Sequence, residues 1–315
     1  MKFLFVFIIL ILVGCNEKEY VKNETSFFVM DTYVNIRIYN EDKDEVILEE
    51  IEELFNYYHC LTDRYDSCKG VINVYDVNNM DEEYLEIDEE LAFLIDYGRQ
   101  FYDQTDGRLN IMIGDLIDFW KERILADDFI PQKEELLEFT YQDIELLENK
   151  ISQGVNLDLG SLAKGYAVKK AGELLEKEGY EKYIINAGGQ VLVGESYRED
   201  AYRIGIKHPI EDGNLLIVNG EGVNVSTSGG YERFFEMEGQ RFHHIINPKT
   251  LFPADYFLSV SVITEDSLLA DALTTALFVM SLEEGKKLLS QYDAEAVWYT
   301  KDYQLVRSEG FSQYE

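Results

Sequence analysis

The sequence predicts an α+β fold: mixed, mostly antiparallel sheets with packed helices, in one compact unit with room for two lobes. Three observations carry this. Amphipathic helical stretches are interspersed with short alternating strands. The regular strand–helix–strand alternation of a doubly wound nucleotide-binding sheet is missing. No linker rich in Pro, Gly or Ser divides the 315 residues, and neither a repeat nor a low-complexity stretch occurs. Such a length suits a large single domain or two small ones.

The chain begins MKFLFVFIILILVGCNEKEY. One Lys followed by an apolar run from Phe3 to Val13 is a signal-peptide core, too short for a comfortable transmembrane span. Leu12-Val13-Gly14-Cys15 resembles the bacterial lipobox, which makes Cys15 the expected lipidation site and mature N-terminus. Two acyl chains anchor stably where one does not. The expected organisation is a leader over 1–14, a polar tether over 15–26 and a folded domain over 27–315, held on the extracytoplasmic face of a bacterial cell membrane.

Within the domain, FFVMDTYVNIRIY (27–39) alternates at Val34, Ile36 and Ile38 and predicts one half-buried strand. Helical spacing follows in 46–61 (Ile47, Ile51, Leu54, Tyr58) and again in 89–107. Residues 144–160 predict strand, turn, strand. A helix over 161–179 turns Ala163, Ala167, Ala171, Leu174 and Leu175 inward, with Gly179 past its end. Short strands then dominate up to FLSVSVITE. A helix over 267–280 precedes another that starts at Ser281, where S-L-E-E is a capping box. AVWYTKDYQLVR (296–307) closes as a hairpin.

Charge narrows the possible ligands. Sixty-one Asp and Glu against 28 Lys and Arg leave a net charge of −33. Nucleic acid and anionic lipid would be repelled. An anionic small substrate would need a cation or a basic group in its pocket. Beyond Cys15 the cysteines are Cys60 and Cys68, either a short-loop disulfide, which an exported location permits, or two free thiols.

Three stretches combine Gly with chemically capable groups. In NLDLGSLAKGYA (156–167), a strand ending at Asp158 passes through Gly160-Ser161 into a helix, and Lys164 sits in its first turn. Lys beside free N–H groups at a helix start suits a phosphate, although P-loop spacing is absent. In VSTSGGYERFF (225–235), Thr227-Ser228-Gly229-Gly230 predicts a turn that presents hydroxyls, and RFHHIINPKT (241–250) follows. His243 and His244 are adjacent, so on a strand they face opposite sides. In LLADALTTALFV (268–279), Asp271, Thr274 and Thr275 share one helical face. A carboxylate there needs a partner, whether a basic side chain, backbone N–H groups or a metal ion, unless the stripe is simply exposed. GxSxG and HExxH are absent, so serine-hydrolase and zincin chemistry lack support.

Taken in order, DLGSLAKGYA, INAGGQVLVGE, STSGGYERFF, HHIINPKTLFPA and ADALTTALFV resemble the ApbE family of FAD:protein FMN transferases. MDTYVNIRIY and DGRLNIMIGDLIDFW (106–120) resemble it too, so the likeness spans nearly the whole mature chain. The resemblance implies Mg²⁺-dependent transfer of FMN from FAD to a Thr or Ser hydroxyl of an exported electron-transfer flavoprotein, with AMP released. It implies Mg²⁺ ligands at Asp271, Thr274 and Thr275, completed by a backbone oxygen at Ser161. Hard oxygen donors and few carboxylates suit that ion. Flavin contacts carry over to Met30, Arg108, Leu109, Asn110, Asp158, Lys164 and Ile245. His244 becomes the candidate base, with Asp158 beside it as an orienting group. The sequence departs from the family pattern at Asn110 and Asn247, where Asp is usual, at Leu251, where Gly is usual, and at Gln190, where Asp is frequent. The rival readings are an FAD pyrophosphatase yielding free FMN and AMP, and a non-catalytic flavin-binding lipoprotein.

Overall fold

Alternating apolar residues build the central feature of the computed structural model, an eight-stranded sheet. The structure describes residues 20–40, 45–126, 130–139, 144–152, 154, 156–231, 234–237 and 240–315. The leader, Cys15 and tether residues 16–19 lie outside these. Strand order is Val21–Val29, Thr32–Asn40, Tyr183–Ala187, Gln190–Val193, Val223–Gly229, Phe257–Thr264, Glu295–Thr300 and Leu305–Arg307. Every neighbouring pair is antiparallel. Val34, Ile36 and Ile38 are buried, as their alternation requires.

Three helices cover one face: Val46–Thr62, Ala163–Lys177 and Ser267–Phe278. The main core lies between them and the sheet, with Phe55, Ile95, Ala167, Val260, Leu273 and Trp298 among its members. On the other face a separate hairpin, Tyr202–Lys207 with Asn214–Gly220, closes a second core around Val225, Ile263 and Val297. A third, smaller core gathers Trp120 and Leu116 of helix Gly114–Ala126 against Phe235 and Phe242. Among the described residues, no helix is long and apolar enough to cross a membrane.

Three expectations are corrected. The stretch 27–39 is a hairpin rather than one strand. Met30 and Asp31 turn it at φ 53° and 57°, the two-residue geometry that suits the twist of paired strands, although neither is Gly. Residues 21–26, expected as tether, form the start of the edge strand. Their polar side chains find partners there, with Glu24 bonding Lys22, Asn35 and Arg37. Residues 156–159 are not a ladder strand. The backbone of Asp158 donates to the Ile111 carbonyl at 2.8 Å, and that of Leu157 exchanges bonds with the Asn78 side chain. Other expectations hold. Ala163–Lys177 ends at Gly179 in the left-handed region, and Ser281 closes its capping box with Glu284.

Helices Ala163–Lys177 and Ser267–Phe278 approach so closely at Gly165 that a Cβ there would lie 2.6 Å from Asp271 Cβ and 2.7 Å from the Ser267 carbonyl oxygen. In an ordinary helix interior, Gly→Ala stabilises by about 1 kcal/mol. Here the sign reverses, because the obstruction is backbone. Gly165→Ala is expected to destabilise by about 1–3 kcal/mol, measured by denaturant unfolding. A stabilised variant would show that the two helices can separate freely.

Candidate active site

The close approach at Gly165 places the Asp271 carboxylate at the start of the opposing helix. Asp271 is 7% exposed, and its Oδ2 accepts the Gly165 N–H at 2.8 Å. Gly165 is the third residue of helix Ala163–Lys177, so its N–H has no acceptor within the helix and the Asp271 carboxylate caps it. The Ser161 carbonyl lies just ahead of that helix, and among the described residues no backbone N–H donates to it. Burial pushes the Asp271 carboxyl above its usual range, while the charge of Lys164, the Gly165 N–H and the Ser226 hydroxyl pull it back. The partner required by the sequence is thus a set: one N–H, one hydroxyl and one nearby ammonium.

Further hydroxyls surround this point. Thr275 and Thr274 bond the Asp271 carbonyl at 3.2 and 3.3 Å, one turn back along the helix. Thr274 also shares a 2.8 Å bond with Ser228, and Thr227 one with Ser261. Thr274 is fully buried and Thr275 half-buried. Thr227, Ser228 and Gly229 are strand, not turn. They pair with Ser261, Val260 and Ser259 in the middle of the sheet, which holds their hydroxyls more rigidly than a loop could. No group of three or more His, Cys, Asp or Glu side chains that could hold a metal occurs among the described residues. The oxygen set here contains a single carboxylate.

Asp158 stands at the other side of the Gly160-Ser161 turn. Its Oδ1 accepts the Gly160 N–H at 2.8 Å and its Oδ2 faces Arg64 at 3.2 Å. Arg64 is the main feature that sequence reasoning missed. Its guanidinium also bonds Asp118 at 2.8 and 3.0 Å and the Asn156 side-chain oxygen at 2.7 Å. Burial works against the charge, but the carboxylates of Asp158 and Asp118 outweigh it, so Arg64 stands above its usual pKa. Cys60 and Cys68 form a disulfide around the loop that carries Arg64.

The 108–110 segment meets the His loop at the end of helix Ser267–Phe278. Arg108 pairs with Glu284 at 2.6 Å, and both Arg108 and Asn247 donate to the Val279 carbonyl. Leu109 is buried, and Asn110 turns its side-chain oxygen to the Met112 N–H. Its Nδ2 is buried and has no partner among the described residues. An amide therefore replaces the usual carboxylate at a position where the nitrogen has no acceptor. Leu251 keeps a left-handed conformation, φ 69°, although it is not Gly, and its carbonyl accepts the Trp120 indole N–H. Ile245 is half-buried against the main core, and Met30, at the tip of the first hairpin, packs against the same core.

The two histidines separate as their spacing requires. His243 is 5% exposed; its Nδ1 accepts the Ile245 N–H and its Nε2 donates to the Ala254 carbonyl. A Cβ on Gly230 would lie 2.3 Å from the His243 ring, so Gly230 is what lets the ring in. Burial first, and His244 second, bring His243 down to about 4. It is a neutral structural residue at physiological pH. His244 is exposed.

A cleft of about 570 Å³ lined by Tyr57, Glu90, Phe93, Tyr166 and Lys170 lies along the outer side of helix Ala163–Lys177. Lys170 pairs there with Glu90 and Glu173, Lys169 pairs with Asp266, and none of the oxygen donors above lines the cleft.

Residues 30–298 match the model of the ApbE family. A Klebsiella pneumoniae protein named FAD:protein FMN transferase is 31% identical over 301 residues, covering 90% of each chain. A Treponema pallidum protein of the same name is 28% identical, covering 93% of this chain and 88% of its own. Among solved structures, the ApbE protein of Thermotoga maritima superposes with a TM-score of 0.85 at 29% identity, over 94% of this chain and 99% of its own.

The His243 environment has a pH signature. Above pH 6.5 the ring is neutral folded or unfolded. Between 6.5 and about 4 only the unfolded chain takes up the proton, so stability falls as pH drops through that window. The expected loss is about 3 kcal/mol on going from pH 7 to pH 4. Urea unfolding of the wild type and of His243→Gln across that range measures it, since the variant lacks this component. Equal pH slopes would show that protonated His243 is accommodated.

Proposed function

The chain belongs to the ApbE family, and on that premise we propose that it moves the FMN half of FAD onto a Thr or Ser hydroxyl of a target protein, releasing AMP. The observation that carries the reading is the junction at Gly165. There one carboxylate, several hydroxyls, the Ser161 carbonyl and an ammonium converge on the start of a helix.

The donor set fits Mg²⁺, which prefers oxygen ligands and keeps positions for water and phosphate. Asp271, Thr275 and the Ser161 carbonyl would hold it. Thr274, buried and bonded to Ser228, supports them from behind. When bound, the ion neutralises the pyrophosphate and stabilises the departing AMP. Lys164 and the helix start attract the same anionic group, which an acidic chain needs. Asp158 and the 108–110 segment orient the flavin half. The acceptor hydroxyl oxygen forms a bond to the FMN-side phosphorus as the bond to AMP breaks, and AMP departs with the bonding electrons. His244 takes the hydroxyl proton. Its buried neighbour His243, held by two backbone bonds, fixes the local strand.

The acceptor is an exported flavoprotein of an electron-transfer chain, and the enzyme works from the outer face of the membrane, tethered through Cys15. The lipobox-like Leu12-Val13-Gly14-Cys15 and the apolar leader support this placement. Cys15→Ser is expected to abolish metabolic labelling with a fatty acid and to release the protein or leave it unprocessed. An unlabelled wild type would remove the anchor from this reading.

Mass spectrometry of an acceptor incubated with FAD and Mg²⁺ tests the chemistry. Gain of one FMN supports transfer; free FMN without acceptor gain means hydrolysis, and intact FAD means storage. Asp271→Asn keeps the shape and removes the charge, so transfer should be lost while thermal stability is kept or raised. His244→Asn should retain FAD binding while transfer slows by about 10²–10⁴-fold. A stabilised, fully active Asp271→Asn with unchanged Mg²⁺ dependence would remove the metal site from the mechanism.

A further inference from the structure

A buried Arg shared between two carboxylates is expensive to place, and by itself weak evidence for stability, because desolvation offsets the attraction. Arg64 is such a residue. Its side chain is 6% exposed, and among the described residues its buried Nε has no partner. The surroundings are nevertheless shaped for it. A Cβ on Gly114 would lie 2.6 Å from Arg64 Nη2 and 2.5 Å from the Asn156 side-chain oxygen, so the start of helix Gly114–Ala126 is cut away to admit the guanidinium. Asp118, from the next turn of that helix, grips the fork with both oxygens.

The loop that delivers Arg64 is held at several points. The Cys60–Cys68 disulfide closes it. Asp63 accepts the N–H groups of Tyr65 and Asp66 at 2.8 and 3.2 Å. Asn73, fully buried, donates to the carbonyls of Cys60 and Asp66. This effort fixes one side chain, and that side chain ends on Asp158 and Asn156, the residues that lead into the Gly160-Ser161 turn. Asp158 therefore has two fixed partners, the Gly160 N–H on one oxygen and Arg64 on the other.

We propose that Arg64 is a positioning residue that sets the Asp158 carboxylate for flavin binding, and that the Cys60–Cys68 disulfide fixes the loop that delivers it. The proposal rests on the reading of Asp158 as a flavin contact. Lys cannot replace Arg here, because an ammonium is a point charge and does not span Asp118, Asp158 and Asn156 in one plane.

The test is calorimetric FAD titration, with Mg²⁺ present, of the full-length protein and four variants: Arg64→Lys, Asp158→Asn, their combination, and Cys60→Ser with Cys68→Ser. Arg64→Lys and Asp158→Asn are each expected to weaken FAD by about tenfold, and the combination no further than Asp158→Asn alone, as coupled residues behave. For Arg64→Lys, kcat at saturating FAD should stay close to wild type, with the change in KM. The disulfide pair should weaken FAD in the same direction by about threefold, and it supplies the reading if Arg64→Lys does not fold. A lowered melting temperature with unchanged FAD affinity in Arg64→Lys, or losses that multiply in the combination, would make Arg64 merely structural. Wild-type affinity in the disulfide pair would overturn the part given to the disulfide. Normal FAD binding by Asp158→Asn would instead remove the flavin contact itself, whatever Arg64 does.

Discussion

The bond from the Gly165 N–H to the Asp271 carboxylate is the contact on which the rest of this site depends. It exists because two helices meet almost backbone to backbone, which only a residue without a side chain allows at that point. Its consequences run in two directions. The buried carboxylate gains a donor, and a first-turn N–H that has no acceptor within its own helix gains a partner. A helix start usually offers N–H groups alone. Here the Ser161 carbonyl just ahead of the helix and the Asp271 carboxylate stand with the Lys164 ammonium, so oxygen donors and a positive charge meet at one place.

The sheet makes this arrangement rigid. Ser226 and Ser228 project from a central strand, and the helix that carries Asp271 packs directly on that strand and its neighbour. Gln190, fully buried, donates to the Ser267 carbonyl at the head of the same helix and so ties it to the hairpin beside the Met30 turn. Among the described residues its Oε1 has no partner. The departure from the usual Asp at that position therefore preserves a link rather than a charge.

Electrostatics explain how so acidic a chain handles an anionic dinucleotide. Most of its carboxylates are solvated or paired locally. The cations that matter are few: Lys164 at the helix start, Arg64 against Asp158 and Arg108 against Glu284. Screening limits the reach of the overall negative charge to about 8 Å at physiological ionic strength. Local composition, not net charge, therefore governs the site.

Much of this was legible in the sequence. Period-two and period-3.6 patterns determined most elements and the α+β class, because they record which faces must leave water. The spacing of Asp271, Thr274 and Thr275 determined that three oxygens share a face, and adjacency determined that His243 and His244 part company, one buried and one exposed. Three features were decided only by the tertiary structure. The Met30-Asp31 turn was hidden because neither residue is Gly, and the adoption of positive φ there reflects the pairing of the flanking strands. Whether Cys60 and Cys68 joined depended on a loop geometry that spacing does not specify. Arg64 gave no local signal at all: its partners lie 54, 92 and 94 positions away. Periodicity reports burial along one segment, whereas a buried ion network depends on which segments meet, and that is known only once the chain has folded.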